Sequence, residues 1–155
     1  MISPELLRRF PFFGFMDDRQ LKKVAKIAEE LTYQVDEVIL ESGQPADALY
    51  FLIGGNVLYY YIVKTENNPD YYKEYFIDDI NPGEIFGISA LIEPYKYTAT
   101  LRVGKPCRVI KINANALRAL CEGDDALCKG LLKAVAKTSM ERLENTRVQL
   151  IAAQS

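Results

Sequence analysis

The residues with the types and spacing to do chemistry lie between Pro82 and Val103, in the run Pro-Gly-Glu-Ile-Phe-Gly-Ile-Ser-Ala-Leu-Ile-Glu-Pro-Tyr-Lys-Tyr-Thr-Ala-Thr-Leu-Arg-Val. The run opens on a turn, Asn81-Pro82-Gly83, because Pro presets one turn angle and Gly accepts the positive φ that follows. A short apolar run from Ile85 to Ile92 carries Phe86, Gly87, Ile88, Ser89 and Ala90 and stops before Pro94. From Tyr97 to Val103 the alternation is that of a strand. The order expected is strand, one or two helical turns, loop, strand. A short helix starting near Gly87 directs free backbone N–H groups at whatever lies before it, and the chemistry that follows is anion binding. On these residues alone, a plain tight corner between two strands stays open.

Other chemistries are poorly supplied. The chain has no His, which removes serine and cysteine triads, histidine bases, most zinc sites and the commonest haem ligand. Cys107, Cys121 and Cys128 form no Cys-x-x-Cys pair and read as reduced thiols, so neither cofactor nor metal is expected. The carboxylate pairs Asp78-Asp79 and Asp124-Asp125 read as turn and cap residues, and no enzyme is expected. A net charge of −2 and a pI near 5.3 argue against a nucleic-acid surface. Arg8-Arg9 and Lys22-Lys23 are helix-face pairs.

The longest apolar window, Ala48 to Val63, is broken by Gly54-Gly55-Asn56, so no membrane span is expected. The N-terminus lacks a basic-then-apolar leader, and a cytoplasmic protein is expected by default.

The elements that must position these residues are those of a single domain over 1–155, with 49% apolar and 26% charged residues. Residues 1–31 are expected to hold two helices. Ser3 caps the first with Pro4 at its first position, and Phe10-Pro11-Phe12-Phe13-Gly14 interrupts it. Asp17 or Asp18 caps the second, which buries Leu21, Val24, Ala25, Ile27, Ala28 and Leu31. Residues 32–113 read as eight or so short strands with turns about every ten residues, the signature of a β-sandwich or barrel. Ala48–Ile53 and Val57–Val63 are two of them, and Thr65 to Asp70 is a hairpin loop. Tyr59-Tyr60-Tyr61 and Tyr71-Tyr72 are expected on paired strands. A short helix over 114–123, capped by Asn113 or Asn115, ends with Gly123 in the C′ role.

A long helix follows over 124–152. Leu132, Ala136, Ser139, Leu143, Thr146 and Leu150 recur on it at spacings of four and three, a coiled-coil seam. About 28 residues span roughly 42 Å, more than one small barrel covers. A homodimer through this helix is the expectation, and a helix folded back on the barrel is the alternative.

Helices, a strand roll with an embedded short helix, and a long final helix together resemble the cyclic-nucleotide-binding domain, the effector domain of catabolite-activator-type regulators, kinase regulatory subunits and gated channels. The resemblance is carried by Leu6-Leu7, Phe10 to Phe13, Leu21 with Val24-Ala25, Tyr33, Val38-Ile39 and Ser42-Gly43. It continues through Ala46 to Ile53 and Gly55-Asn56-Val57. It implies an α+β, mainly β fold: an eight-stranded jelly-roll (double-stranded β-helix) with N-terminal helices, a short cassette helix and a long C-terminal helix. Pro82 to Val103 is then similar to the phosphate-binding cassette, with Phe86 to Ala90 and Lys96, Tyr97, Thr98 and Ala99 as its ligand-binding residues.

Two residues depart from the family pattern. Ile88 stands where the family has the glutamate that grips the ribose, and Tyr97 where it has the arginine that neutralises the phosphate. Glu84 lies too early to replace the first, and Lys96 points to the other face of its strand from Tyr97. Losing both contacts removes about 3–6 kcal/mol, or two to four decades of affinity. The expectation is a non-catalytic sensor that binds a small effector other than a typical cyclic nucleotide and signals through its last helix. A genuine cAMP or cGMP site with an altered cassette and a structural docking domain with a filled pocket are the alternatives. The DNA-binding relatives continue into a helix-turn-helix, which is not expected within these residues.

Overall fold

The computed structural model describes residues 1–155, Pro69 by its backbone alone. Ser3 caps α1 (Pro4–Arg8) by accepting a hydrogen bond from the Glu5 amide, 3.1 Å, with Pro at the first turn. A 3-10 turn spans Pro11–Phe15. Asp17 starts α2 (Asp18–Lys26) with a reciprocal capping box: its carboxylate accepts from the Gln20 amide at 2.8 Å, and Gln20 Oε1 accepts from the Asp17 amide at 2.9 Å.

The roll is a six-stranded antiparallel sheet: β1 (Ala28–Tyr33), β2 (Val38–Leu40), β3 (Ala48–Thr65), β4 (Asn68–Ile80), β5 (Ile85–Phe86) and β6 (Thr100–Asn113). The hydrogen-bonded order is β1-β6-β3-β4, with β2 also on β6 and β5 on β3. Two helices close the chain, α3 (Ala114–Gly123) and α4 (Asp125–Ala153). No helix among the described residues is long and apolar enough to cross a membrane.

The strand count is six, not the eight expected, and the reason is physical. Gly54-Gly55-Asn56 does not interrupt β3. It bulges it, with register shifts between Leu52 and Val57 where β3 runs along β6. Gly55 carries this at φ +92°, and a Cβ there would sit 2.4 Å from the Pro106 carbonyl oxygen. The segments Tyr97–Val103 and Cys107–Ile112, read as two strands, are one strand beginning at Thr100. Tyr97 instead spends its backbone groups on the Gly43–Gln44 turn, accepting from the Gly43 amide at 2.8 Å and donating to the Gln44 carbonyl at 3.0 Å.

Three boundaries also move. The second helix ends at Lys26, and Ala28 and Leu31 belong to β1, paired with Ile112 and Val109. Helix-favouring Ala-Glu-Glu is overridden there by a partner strand. The hairpin is tighter than a six-residue loop, because Thr65 already pairs with Asn68. Gly123 is the last residue of α3, and the break before α4 falls on Asp124 in extended conformation. Tyr59-Tyr60-Tyr61 on β3 and Tyr71-Tyr72 on β4 do lie on paired strands, with Tyr60 and Tyr61 directly opposite Phe76 and Tyr75.

The aromatic linker packs on the roll through Phe51 of β3, fully buried with Phe10, Phe12 and Phe13 ring centroids at 5.0, 5.7 and 5.2 Å. Burying a side chain of this size contributes about 1.5–3 kcal/mol. α4 docks its first half through buried Leu127, Leu131 and Val135, while Met140, Leu143, Leu150 and Ile151 further along remain exposed.

Candidate ligand site

The turn at Asn81-Pro82-Gly83 forms as read, closed by the Glu84 amide on the Asn81 carbonyl at 3.1 Å. Glu84 is also used locally, accepting from the Asn81 amide at 2.7 Å. β5 then pairs with β3, and Phe86 stacks flat on Tyr50 at 4.9 Å with an interplanar angle of 3°. Gly87 turns the chain in left-handed conformation, φ 72°, into a single 3-10 turn, Ile88–Leu91. Its missing Cβ matters twice: the φ suits glycine, and a methyl there would stand 3.1 Å from the Ala48 carbonyl oxygen and 3.3 Å from the Tyr50 and Tyr97 rings. α3 holds the far side of this segment. Arg118 donates to the Ala90 carbonyl at 2.6 Å and lies over the Tyr95 ring, 4.1 Å from its centroid.

Tyr97 turns inward and is 5% exposed. Its hydroxyl donates to the Ala48 carbonyl at 2.6 Å and accepts from the Ala48 amide at 3.2 Å. Burial pushes its pKa up to about 12, with the nearby Asp47 carboxylate acting in the same direction. The side chain is therefore neutral and is spent on the edge of β3.

The space left is small. A cavity of about 60 Å³ is lined by Phe86, Gly87, Ile88, Ser89, Tyr97, Thr98 and Ala99 from the cassette. Small-molecule pockets ordinarily measure roughly 300–1,000 Å³. Of the nine residues expected at the site, those seven meet around it. Ala90 is fully buried and outside the lining, and Lys96 is exposed and outside it as well.

Four lining residues were not foreseen: Leu40, Tyr59, Leu101 and Arg142. The last comes from α4. Its guanidinium donates to the Ile85 carbonyl at 2.8 Å and lies 5.5 Å from the Tyr59 ring centroid. Burial lowers its pKa from the ordinary value, offset in part by Tyr59, Glu84, Asp78 and Glu141. Nothing local to Arg142 signals this role, since it depends on where α4 crosses the roll.

Three comparisons bear on this architecture. The family described as the cyclic nucleotide-binding domain matches residues 30–124, which include Pro82 to Val103. This chain belongs to that family. Among curated family members, a cAMP-dependent protein kinase regulatory subunit from Dictyostelium discoideum is 23% identical over 81% of this chain. A cAMP-activated global transcriptional regulator from Pasteurella multocida is 27% identical over 76%. The chain spans 37% and 52% of the length of those two relatives. Among solved structures, a Geobacter metallireducens protein named as a candidate cyclic nucleotide-binding protein superposes with a TM-score of 0.78 at 38% identity, covering 92% of this chain and 99% of that one. The cAMP-bound regulatory domain of Toxoplasma gondii PKA shares the fold, TM-score 0.70 at 17% identity over 89% of this chain and 48% of that one.

Proposed function

We propose that this cyclic nucleotide-binding domain is a cytoplasmic, non-catalytic sensor module whose effector is a small molecule other than a typical cyclic nucleotide. The observation that carries this is the seat of Tyr97. Where the family pattern has a guanidinium for the phosphate, this chain has a neutral phenol bonded to Ala48, and Ile88 stands in place of the ribose-gripping carboxylate. The cavity of about 60 Å³ is consistent with the same reading.

The output is α4, acting as a homodimer. Leu132, Leu143 and Leu150 of the heptad seam are 42%, 50% and 57% exposed on this chain, which suits a helix awaiting a second copy. Ser139 and Thr146 donate back to the carbonyls of Val135 and Arg142, so their hydroxyl donors on the seam are paired. The charge balance of −2 favours a small effector and a second copy over nucleic acid as partners. Isothermal titration with cAMP and cGMP tests the reading. Dissociation constants near or above the millimolar range are expected, and a value below about 10 μM for either would overturn it. The smallness of the cavity favours a second reading, a dimerisation domain with a filled pocket. A thermal-shift screen over small acids and nucleotides that moves the melting temperature with none of them would select it.

A further inference from the structure

We infer that the cavity between the cassette and α4 takes a small oxygen-bearing anion, an inorganic oxyanion or a compact carboxylate, and that Arg142 is its cationic receptor. This rests on the reading that the effector is not a cyclic nucleotide, and it assigns the chemical class.

Size sets the first limit. A cavity of about 60 Å³ corresponds to roughly four to six water positions at about 10–15 Å³ each. A purine does not fit that space, whereas acetate, nitrate or phosphate does.

Charge sets the second. None of the ion pairs among the described residues involves Arg142. Asp78, Glu84 and Glu141 lie near enough to be felt but form no ion pair with it. A guanidinium carries five N–H donors, and one hydrogen bond, to Ile85, is found here. A half-buried cation with spare donors on a cavity wall has no ion-paired partner, and a two-oxygen anion matches the fork of a guanidinium. Ser89 and Thr98 line the same cavity and add hydroxyl groups suited to the remaining oxygens. Tyr97 supplies no second cation, so the charge of the site comes from the helix and not from the cassette.

That origin couples binding to output. Arg142 lies next to Leu143 of the seam, and three residues on, Asn145 donates to Asp78 at 2.6 Å. An anion clasped between Arg142 and the cassette adds a tie from α4 to the 3-10 turn, beside the bond that Arg142 already makes to Ile85 of β5.

The test is titration of the full chain with sodium acetate, nitrate and phosphate at constant ionic strength, followed through the arginine side-chain Nε–Hε resonances and by calorimetry. At least one of the three should saturate and shift the Arg142 resonance. Acetate against nitrate and phosphate separates a carboxylate from an inorganic source. Arg142→Gln should weaken binding roughly ten- to a hundredfold, the loss of one charge-assisted contact. Arg142→Lys should weaken it less, and exposed Arg9→Gln should leave it unchanged. Circular dichroism of each variant establishes that it is folded. Absence of saturable binding by the wild-type chain overturns the inference, as does binding that Arg142→Gln and Arg9→Gln weaken equally. Either result leaves the exclusion of ordinary cyclic nucleotides standing, because the cAMP and cGMP titrations test that point separately.

Discussion

The Tyr97 hydroxyl donates a 2.6 Å hydrogen bond to the Ala48 carbonyl and accepts a 3.2 Å one from the Ala48 amide, so one side chain satisfies both backbone groups at the first residue of β3. The pair links the cassette to the strand that organises the roll. Tyr97→Phe keeps the ring and strips both bonds, leaving buried backbone groups without that partner. A loss of about 1–3 kcal/mol is expected in urea unfolding, with an unchanged m-value. An unaltered midpoint would mean that water replaces the hydroxyl without loss.

Exchanging the two departing residues should rebuild what the family pattern has. Ile88→Glu with Tyr97→Arg restores a ribose acceptor and a phosphate cation and removes the ring that fills the seat. A gain in cAMP affinity of about two to four decades over the wild-type chain is expected by calorimetry. A folded double variant with no gain would show that closure of the cavity, rather than the missing pair, limits binding.

Gly54 and Gly55 are adjacent on β3 and should respond unequally to the same change. A Cβ at Gly54 meets nothing within 4 Å, whereas one at Gly55 falls 2.4 Å from the Pro106 carbonyl oxygen at φ +92°. Gly54→Ala should be near neutral, and Gly55→Ala should cost about 1–3 kcal/mol. Equal melting temperatures for the two variants would remove the bulge as the reason for glycine at Gly55.

This bulge also marks where local reading of the chain reached its limit. Caps were legible from sequence, because Ser3, Asp17 and Asp124 act on amides two or three residues away. The cassette was legible as a turn, a short helix and a loop for the same reason. Strand continuity was not, since whether Gly54-Gly55-Asn56 breaks or bulges β3 is decided by β6, about fifty residues distant. Arg142 was missed on similar grounds, as its place on the cavity wall follows from the packing of Leu127, Leu131 and Val135.

If the exposed seam of α4 is a dimer face, charge on it should separate the copies. Leu143→Glu with Leu150→Glu places two like charges on each helix, facing their equivalents at heptad spacing. Sedimentation velocity should give a dimer for the wild-type chain and a monomer for the variant, with an unchanged circular dichroism spectrum over the roll. A wild-type monomer at all concentrations would refute the dimer outright.

Asp124 joins the break before α4 to α2. Its carboxylate accepts from the Leu127 amide at 3.0 Å and from Gln20 Nε2 at 3.1 Å. The amide bond is the main reason its pKa lies below the ordinary 3.8, and the Gln20 bond adds to it. A carboxylate with a depressed folded-state pKa stabilises the fold fully above its unfolded value, and that contribution fades as the pH falls through the lower folded value. Stability attributable to Asp124 should thus be intact at neutral pH and decline only below about pH 4. Asp124→Asn can still cap the helix through its side-chain oxygen, so its melting temperature at pH 7 should stay close to wild type. Its melting temperature should also fall less steeply than that of the wild type below pH 4. Asp124→Ala should lower the melting temperature at every pH. Parallel acid profiles for the wild type and Asp124→Asn would show that other carboxylates, not this cap, set the acid limit.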